Sequence, residues 1–288
     1  MSLKTTDDPA GRADAADAAE ESPLVEYDRV ELDEDGNFAA VVTFNRAETL
    51  NAMNWDTLRA LEAQLRKGAE DPDVRCVLIT GKGRAFSAGG DIKGYMKLQA
   101  DAPLFTRFVD DTIRTFELAH DMDKPVVALI NGITAAGGLE LMLACDFAWM
   151  AESARIGDMH LNYAQIGGAG VMARLPRLIG PNRARELVFS GRLLKSDECL
   201  AWGLVNRVIP DDQLPAEGIE FARSVAAKSP NSVRNVKHVI NRGLETDLEA
   251  ALRQERERAL IHCLTLPDSM EGIHAFAEKR KPRWPKAQ

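Results

Sequence analysis

Residues 124–151, with the sequence KPVVALINGITAAGGLELMLACDFAWMA, contain three apolar segments that decide the fold. The first, KPVVALING, has the length of a buried strand and is bounded by a proline and a glycine. The second opens with two glycines and continues as an apolar helix, and the third, DFAWMA, is again a short apolar run. A strand, a helix and a second strand in this order predict a layered α/β core.

The same alternation extends in both directions along the chain. VEYDRVEL and FAAVVTF flank the turn residues Asp35-Gly36, which predicts a β-hairpin. WDTLRALEAQLRKGAE then has apolar residues at helical spacing, VRCVLITG is a short buried strand, and a helix is expected from Pro103 to His120. Beyond Gly168 the pattern is almost wholly helical. The predicted organisation is an acidic, disordered tail (1–23), an α/β core (24–210) and a C-terminal helical region (211–288).

The composition excludes several classes of function. A formal net charge of −8 argues against binding of DNA or RNA. No apolar run approaches the roughly 18 residues of a membrane span, and the acidic N-terminus lacks a targeting pattern, so a cytoplasmic location is expected. The four cysteines are widely spaced, which is typical of core thiols. No group of His, Cys and Asp has metal-ligand spacing, so no metal is expected.

Two glycine-rich segments each follow an apolar strand and begin a helix, SAGGDI (87–92) and TAAGGLE (134–140). Glycine lets a backbone approach a ligand closely, and the first turn of a helix leaves amide N–H groups without intrahelical acceptors. Two such amides that converge on one point form an oxyanion hole. The alternative is that the glycines only allow tight turns between strand and helix.

Glu140 lies in the first turn of the second of these helices, in an apolar segment without a neighbouring cation. Gly137 is three residues earlier and shares its helix face, so the carboxylate can lean towards whatever the Gly137 amide binds. A carboxylate beside a bound carbonyl suits proton transfer at the adjacent carbons, because amide dipoles stabilise the enolate and burial raises the pKa of the carboxyl group. The alternative is that Glu140 caps its own helix.

These segments together resemble the crotonase superfamily, the enoyl-CoA hydratase/isomerase family. The matching stretches cover nearly all of residues 25–284, and they are NRAETLNAMN (45–54), GRAFSAGGDIKGY (83–95), residues 124–157, GGAGVMARLPRLIG (167–180), AWGLVNRVIP (201–210) and EGIHAFAEKRKPRW (271–284). The resemblance implies an α/β fold, a crotonase-like spiral of ββα units with a C-terminal helical region that forms trimers or dimers of trimers. It also implies an acyl-CoA thioester substrate, with coenzyme A as part of the substrate and no separate cofactor.

The resemblance assigns roles to residues at matching positions. In the family pattern, the amides that match Ala88 and Gly137 hold the thioester oxygen, and Glu140 matches one of two catalytic glutamates. The path of the adenine and pantetheine is lined by segments that match Ala52, Ala88, Gly89, Gly90, Asp91 and Ile92. Phe276 and Lys279 match positions that hold coenzyme A, often across a subunit boundary, and Arg280 adds a second cation for its phosphates. Ordinary packing and a solvated basic tail are the alternative for these C-terminal residues.

The second glutamate of the family pattern is missing. Hydratases of the family carry it in a stretch that resembles F-G-x-P-E-x-x-x-G, and the corresponding run here, IGDMHLNYAQIG (156–167), places His160 at that position. Since an imidazole has a pKa of roughly 6.5, Glu140 and His160 can still form the acid–base pair that hydrates an enoyl-CoA. One carboxylate suffices to move a double bond, so isomerisation stays open, as do thioester hydrolysis, retro-aldol cleavage and a non-catalytic acyl-CoA binder.

The residues around His160 have two interpretations each. Asp158 orients the imidazole or, as the favoured alternative, is exposed at the surface. Asn162 and Tyr163 bind a substituent of the acyl group or, again favoured, belong to an ordinary loop. The remaining histidines are expected to be structural residues without a partner, and they are His120, His238, His262 and His274.

Overall fold

A computed structural model describes residues 22–286, so almost all of the predicted tail lies outside the described residues. The strands are β1 (Val25–Glu31), β2 (Phe38–Phe44), β3 (Val74–Gly81), β4 (Ala85–Ser87), β5 (Val126–Ile130), β6 (Ile133–Ala135), β7 (Phe147–Ala151), β8 (Arg155–Gly157) and β9 (Arg207–Ile209). The helices are α1 (Trp55–Glu70), α2 (Ile92–Gln99), α3 (Ala102–Asp121), α4 (Gly137–Ala144), α5 (Val171–Ile179), α6 (Pro181–Ser190), α7 (Ser196–Trp202), α8 (Leu214–Ala226), α9 (Pro230–Gly243), α10 (Leu248–Thr265) and α11 (Pro267–Ala277). No helix in this part of the chain is long and apolar enough to cross a membrane.

Two sheets organise the core. The larger has six strands in the order β1-β2-β3-β5-β7-β9, in which β1 and β2 form the predicted antiparallel hairpin and the other neighbours are parallel. The three-residue strands β4, β6 and β8 form a second, parallel sheet. Because each short strand follows a long one, the chain repeats a long strand, a short strand and one or more helices. This repeat confirms the predicted α/β class with a spiral of ββα units.

The short strands correct one detail of the sequence analysis. The glycine-rich segments follow β4 and β6, not the long strands β3 and β5. Three residues are too few to show a periodic pattern, so the second sheet could not be predicted from the sequence. Because β4 and β6 are parallel neighbours with Ser87 opposite Thr134, the segments that follow them leave the same edge of the sheet. The second sheet therefore brings the two glycine-rich segments together.

Helices cover both faces of the large sheet. Gly68 of α1 packs on Val77 of β3, whereas Gly218 of α8 packs on Leu78 of the same strand. Successive strand residues point to opposite faces, so α1 and α8 lie on opposite sides and β3 is buried between them. Three of the four cysteines are buried in this core, as predicted, and they are Cys76, Cys145 and Cys199.

A buried ion pair attaches α9, the second of the C-terminal helices, to the core. Lys237 of α9 is 7% exposed, and its Nζ lies 2.9 Å from Asp146 Oδ2 in the turn before β7. The same Nζ donates to the carbonyl oxygens of Ala119 and Lys124, each at 3.1 Å. In contrast, α10 packs between α9 and α11 but has no buried side chain. Lys237 therefore connects α9 to three separate parts of the α/β core.

Replacement of Lys237 by alanine is expected to lower the free energy of unfolding by about 3–5 kcal/mol, because it leaves the Asp146 carboxylate and two carbonyl groups without their cation. Urea unfolding of Lys237→Ala and the wild type measures this difference. Lys97→Ala, at an exposed position of α2, serves as the control and is expected to have little effect. Equal midpoints for Lys237→Ala and the wild type would contradict the anchoring role.

Candidate active site

A cavity of about 800 Å³ opens between the two glycine-rich segments, α2, α3 and residues 159–169. This volume suits a small-molecule ligand, and the lining is mostly apolar. The lining includes these residues predicted from the sequence: Ala52, Ala88, Gly90, Asp91, Ile92, Gly137, Glu140 and His160. The fold therefore brings most of the predicted site residues into one cavity.

Gly89 is the point at which the two glycine-rich segments touch. Its φ is +95°, and a Cβ at this position would lie 2.7 Å from the Ala136 Cβ and 3.0 Å from the Gly137 nitrogen. A side chain would therefore push the segments apart. Gly89 does not line the cavity itself, but it lets Ala88 and Gly90 lie directly against the start of α4.

The Gly137 amide is free to bind an anionic oxygen. Gly137 is the first residue of α4, and its N–H has no acceptor within residues 22–286. The preceding residue, Ala136, has φ 48° and ψ −118°, a conformation that costs an L-residue free energy. The Ala136 N–H donates to the carbonyl oxygen of Asp158 at 3.0 Å. This contact stabilises the strained residue, and the following peptide presents its N–H at the cavity.

The second predicted amide is already engaged. The Ala88 N–H donates to the carbonyl oxygen of Leu50 at 2.9 Å. Leu50 and Asn51 both have left-handed φ values, 56° and 55°, and this turn carries the carbonyl group to Ala88. The expectation of two free, converging amides is therefore wrong for Ala88, although Ala88 does line the cavity beside Gly137.

Glu140 is buried, with 3% exposure, and its carboxylate reaches the next helix along the chain. Oε1 accepts hydrogen bonds from the backbone N–H groups of Ala169, at 2.7 Å, and Val171, at 3.4 Å. The carboxylate therefore caps the start of α5, and the alternative that it caps its own helix is wrong. Burial raises the pKa of Glu140 against the opposing effects of the His160 charge and the two amides.

His160 pairs with Asp158. The Nδ1 atom of the imidazole lies 2.8 Å from Asp158 Oδ1, and the Asp158 side chain is completely buried. The expectation that Asp158 is exposed is therefore wrong, and the orienting interpretation fits the geometry. Burial disfavours the imidazolium, but the hydrogen bond with Asp158 and the charges of Asp158 and Glu140 outweigh it and raise the pKa of His160.

Glu140 and His160 face the same small volume. A Cβ added at Gly167 would lie 2.9 Å from Glu140 Oε1 and 3.0 Å from His160 Cε1. The absence of a side chain at Gly167 therefore allows the carboxylate and the imidazole to approach one point. The structure thus brings together the two groups that the sequence predicts as an acid–base pair.

The backbone around His160 also departs from the family pattern. Met159 stands where that pattern has proline, and its φ is +59°, a value that proline cannot adopt. Ala164 stands where the pattern has glycine and has a φ of +53°. A single 3₁₀ turn, His160–Tyr163, lies between these two left-handed residues. Tyr163 lines the cavity, whereas the Asn162 amide donates to the Gly191 carbonyl oxygen at 2.9 Å and belongs to the loop structure.

The C-terminal candidates lie outside the lining of this cavity. Phe276 is 87% exposed on α11, and Lys279 follows that helix. Arg280 forms a bidentate ion pair with Glu271, at 2.6 and 2.9 Å, and its Nε binds Glu278. Its charge is therefore already neutralised, contrary to the expectation of a free cation for phosphate groups. Among the described residues of the lining, Lys93 is the one Lys or Arg side chain.

The start of helix α2, which forms one wall of the cavity, was predicted after SAGGDI (87–92), but the extent of the helix was not. At eight residues, this helix is shorter than the window of roughly 11–18 residues in which helical periodicity is counted. The available signal was its N-cap, since the Asp91 side chain accepts hydrogen bonds from the amides of Lys93 and Gly94. Tyr95 and Gln99 lie beyond the predicted start, and although both line the cavity they were not identified as site residues.

Two of the remaining histidines have partners, contrary to expectation. His238 Nε2 lies 3.0 Å from Asp123 Oδ1, and His262 contacts the side chains of Ser232 and Asn235 at 3.0 and 3.1 Å. Neither histidine lines the active-site cavity. A structural role remains the interpretation for both.

The fold and the cavity define an α/β protein that can hold a carbonyl oxygen at the start of α4 beside a buried acid–base group. The family model described as Enoyl-CoA hydratase/isomerase matches residues 34–287. The chain therefore belongs to this family of enzymes.

Relatives along nearly the whole chain agree with this assignment. A putative enoyl-CoA hydratase/isomerase of Bacillus subtilis is 39% identical over 84% of this chain and 92% of its own length. A short-chain-enoyl-CoA hydratase of Clostridium acetobutylicum is 34% identical over 89% of this chain and 97% of its own. The crystal structure of an enoyl-CoA hydratase from Bacillus anthracis is similar with a TM-score of 0.84 and 35% identity, covering 91% of this chain and 98% of that one.

Replacement of Glu140 by glutamine is expected to stabilise the protein at neutral pH. The amide oxygen can still accept the Ala169 and Val171 hydrogen bonds, while the buried charge is removed. Because the pKa of Glu140 is higher in the folded than in the unfolded state, wild-type stability falls as the pH rises from the ordinary glutamate pKa through the raised one. The melting temperature of Glu140→Gln should therefore exceed that of the wild type by an amount that increases as the pH rises through this range.

Thermal unfolding measured between pH 4 and pH 8 checks this difference, with Glu245→Gln at an exposed position as the matched control. A difference that stays constant with pH, or that matches the control, would contradict the cost assigned to the buried charge.

Proposed function

We propose that this enzyme adds water across the C2=C3 double bond of an enoyl-CoA thioester, with Glu140 and His160 as its acid–base pair. The observation that carries the proposal is the approach of Glu140 Oε1 and His160 Cε1 to one point beside Gly167. Two relatives are named short-chain-enoyl-CoA hydratase and crotonyl-CoA hydratase, and these names support the same reaction. Coenzyme A enters as part of the substrate, and Lys93 is the cation of the lining that can meet its phosphates.

The thioester oxygen accepts a hydrogen bond from the Gly137 N–H in this mechanism. Negative charge grows on that oxygen as the enolate forms, and the start of α4 stabilises it through its free amide and its dipole. The Ala88 amide is engaged with Leu50, so the second donor is the N–H of Gly90, which has no acceptor within residues 22–286 and adjoins Gly137 in the cavity lining. Gly89 keeps both amides on the same side of the cavity.

Hydration needs one group that takes a proton from water and another that gives a proton to C2. We assign the first role to the Glu140 carboxylate, whose raised pKa makes it a stronger base. The water oxygen bonds to C3 as the C2=C3 electrons shift towards the thioester. His160, held as an imidazolium by Asp158, then delivers its proton to C2. Glu140 then releases its proton to solvent, and His160 takes up a proton from solvent.

Isomerisation is the second candidate because His160 replaces the second carboxylate of the family pattern. In that reaction Glu140 alone takes a proton from C4 and returns it to C2, and no water is added. Hydrolysis of the thioester and retro-aldol cleavage use the same oxygen-binding amide but give products of different mass.

Mass spectrometry after incubation with but-2-enoyl-CoA tests the proposal directly. We expect a product that is heavier by one water. In Glu140→Gln this product should form at least about 100-fold more slowly, because general acid–base groups contribute roughly 10²–10⁴-fold, while the affinity for butanoyl-CoA is retained. Pent-2-enoyl-CoA, a longer substrate, tests isomerisation. A product of unchanged mass and shifted retention time would establish isomerisation instead of hydration. Turnover that is unchanged in Glu140→Gln would overturn the role of that residue.

The role of His160 as an acid predicts the pH dependence of kcat/KM. The rate should fall as the pH rises through the pKa of His160, because the imidazolium is lost. Asp158→Asn removes the charge that raises this pKa, so the alkaline fall should move to lower pH. A profile in Asp158→Asn that keeps its alkaline limb in place would contradict the assignment.

We also propose that the chain forms a homotrimer or a dimer of trimers through its C-terminal helices. These helices expose large apolar side chains, among them Leu244, Leu264 and Phe276 at 79%, 78% and 87%. An apolar groove of about 580 Å³ lies between α9 and α10. Exposed apolar surface of this extent on one region is typical of a subunit interface. In such an assembly Phe276 and Lys279 of one subunit can approach the coenzyme A of another.

Light scattering coupled to size-exclusion chromatography tests the assembly. We expect a particle of three or six times the 31.6 kDa of one chain. Leu244→Asp should shift it to smaller species, because a charge in an apolar interface is costly. Phe189→Asp, at a 73% exposed position of α6, is the matched control. A monomer in the wild type would overturn the proposal.

A further inference from the structure

The Tyr95 side chain is held rigidly in the cavity wall beside the oxygen-binding segment. Its ring makes edge-to-face contacts with Phe105 and Phe108, with centroids 5.3 and 5.6 Å apart. One edge of the ring packs on Gly90, where an added Cβ would lie only 3.2 Å from Tyr95 Cε2. Because Gly90 adjoins Gly137 across the two glycine-rich segments, the phenol is fixed close to the place where the acyl group reacts.

The hydroxyl group of Tyr95 has no hydrogen-bond partner within residues 22–286. Two other polar side chains of the lining, Thr112 and Gln99, are already satisfied by the protein. The Thr112 hydroxyl donates to the Phe108 carbonyl oxygen at 2.8 Å, and the Gln99 amide donates to the Gln165 side chain at 2.7 Å. Tyr163 also lines the cavity, but it is 58% exposed and in contact with solvent. Tyr95 therefore stands out as a half-buried donor with nothing to bind.

The charges around Tyr95 restrict what it can bind. Burial and then the negative charge of Glu140 raise the pKa of Tyr95, so the phenol stays protonated and lies within the electrostatic reach of the carboxylate. An anionic group on the acyl chain would be repelled by Glu140 and would be buried among the aromatic rings of α2 and α3. A neutral hydroxyl or carbonyl group meets neither penalty.

We propose that Tyr95 is a specificity-determining residue whose hydroxyl hydrogen-bonds a neutral hydroxyl or carbonyl substituent on the acyl chain of the substrate. This inference rests on the proposed acyl-CoA function and names the substrate class within it. The preferred substrates are enoyl-CoA thioesters with an oxygen substituent beyond the double bond, rather than plain alkyl chains. A site built to bind a polar substituent discriminates against the chain that lacks it, because the buried donor is then left unpaired.

Calorimetric binding of saturated thioesters, which cannot be hydrated, tests the inference without relying on turnover. The matched pairs are pentanoyl-CoA with 4-oxopentanoyl-CoA and hexanoyl-CoA with 6-hydroxyhexanoyl-CoA. We expect the wild type to bind the oxygenated member of at least one pair about three- to tenfold more tightly. Tyr95→Phe should bring the ratio of affinities in that pair to one, while Tyr27→Phe, a matched control on β1 outside the cavity lining, should preserve it.

Two outcomes would overturn the role of Tyr95. One is equal affinity within both pairs in the wild type, and the other is a preference that survives in Tyr95→Phe. Neither outcome touches the hydration of but-2-enoyl-CoA, which is assayed separately. Conversely, absence of hydration together with a Tyr95-dependent preference would overturn the proposed reaction and leave the specificity role intact.

Discussion

The hydrogen bond from the Ala169 amide to the Glu140 carboxylate is the contact on which the candidate site depends. It joins α4, whose first amide is free for the substrate oxygen, to the loop that contains Gly167 and begins α5. A carboxylate as buried as Glu140 is costly without donors, and this loop supplies two of them. The two amide donors stabilise the ionised form of Glu140, while burial raises its pKa and so favours proton uptake. One contact therefore meets both a structural and a chemical requirement.

Replacement of a carboxylate by His160 changes the electrostatics of the whole site. Two carboxylates at close range repel each other, so one of them tends to be protonated. A carboxylate and an imidazolium attract each other, and each charge favours the other. Asp158 supplies a further negative charge from a completely buried position, and its carbonyl oxygen also holds Ala136 before the free amide of Gly137. The imidazole of His160 and the free amide of Gly137 are thus linked through a single residue.

The sequence predicted those parts of the fold and site that depend on local pattern. The continuous apolar runs of β3 and β5 mark strands that are buried on both faces, and the three-residue spacing of Gly137 and Glu140 places them on one helix face. Parts that depend on distant contacts could not be predicted. The burial of Asp158 and the engagement of the Ala88 amide both result from backbone turns, at Ala136 and Leu50, that only the assembled structure defines. The start of α2 was predicted, but its extent was not, because its eight residues are fewer than the window in which helical periodicity is counted.

The left-handed conformation of Met159 has an evolutionary consequence. The family pattern places proline before its second glutamate, and proline cannot take the φ of +59° that Met159 has. A change of His160 to glutamate therefore does not recreate the two-carboxylate arrangement, because the backbone that presents the side chain follows a different path. Return of the proline alone would strain that path and displace the histidine. Exchange of Met159-His160 for the proline and glutamate of the family pattern thus needs coordinated substitutions at both positions, and the effect of each substitution is epistatic on the other.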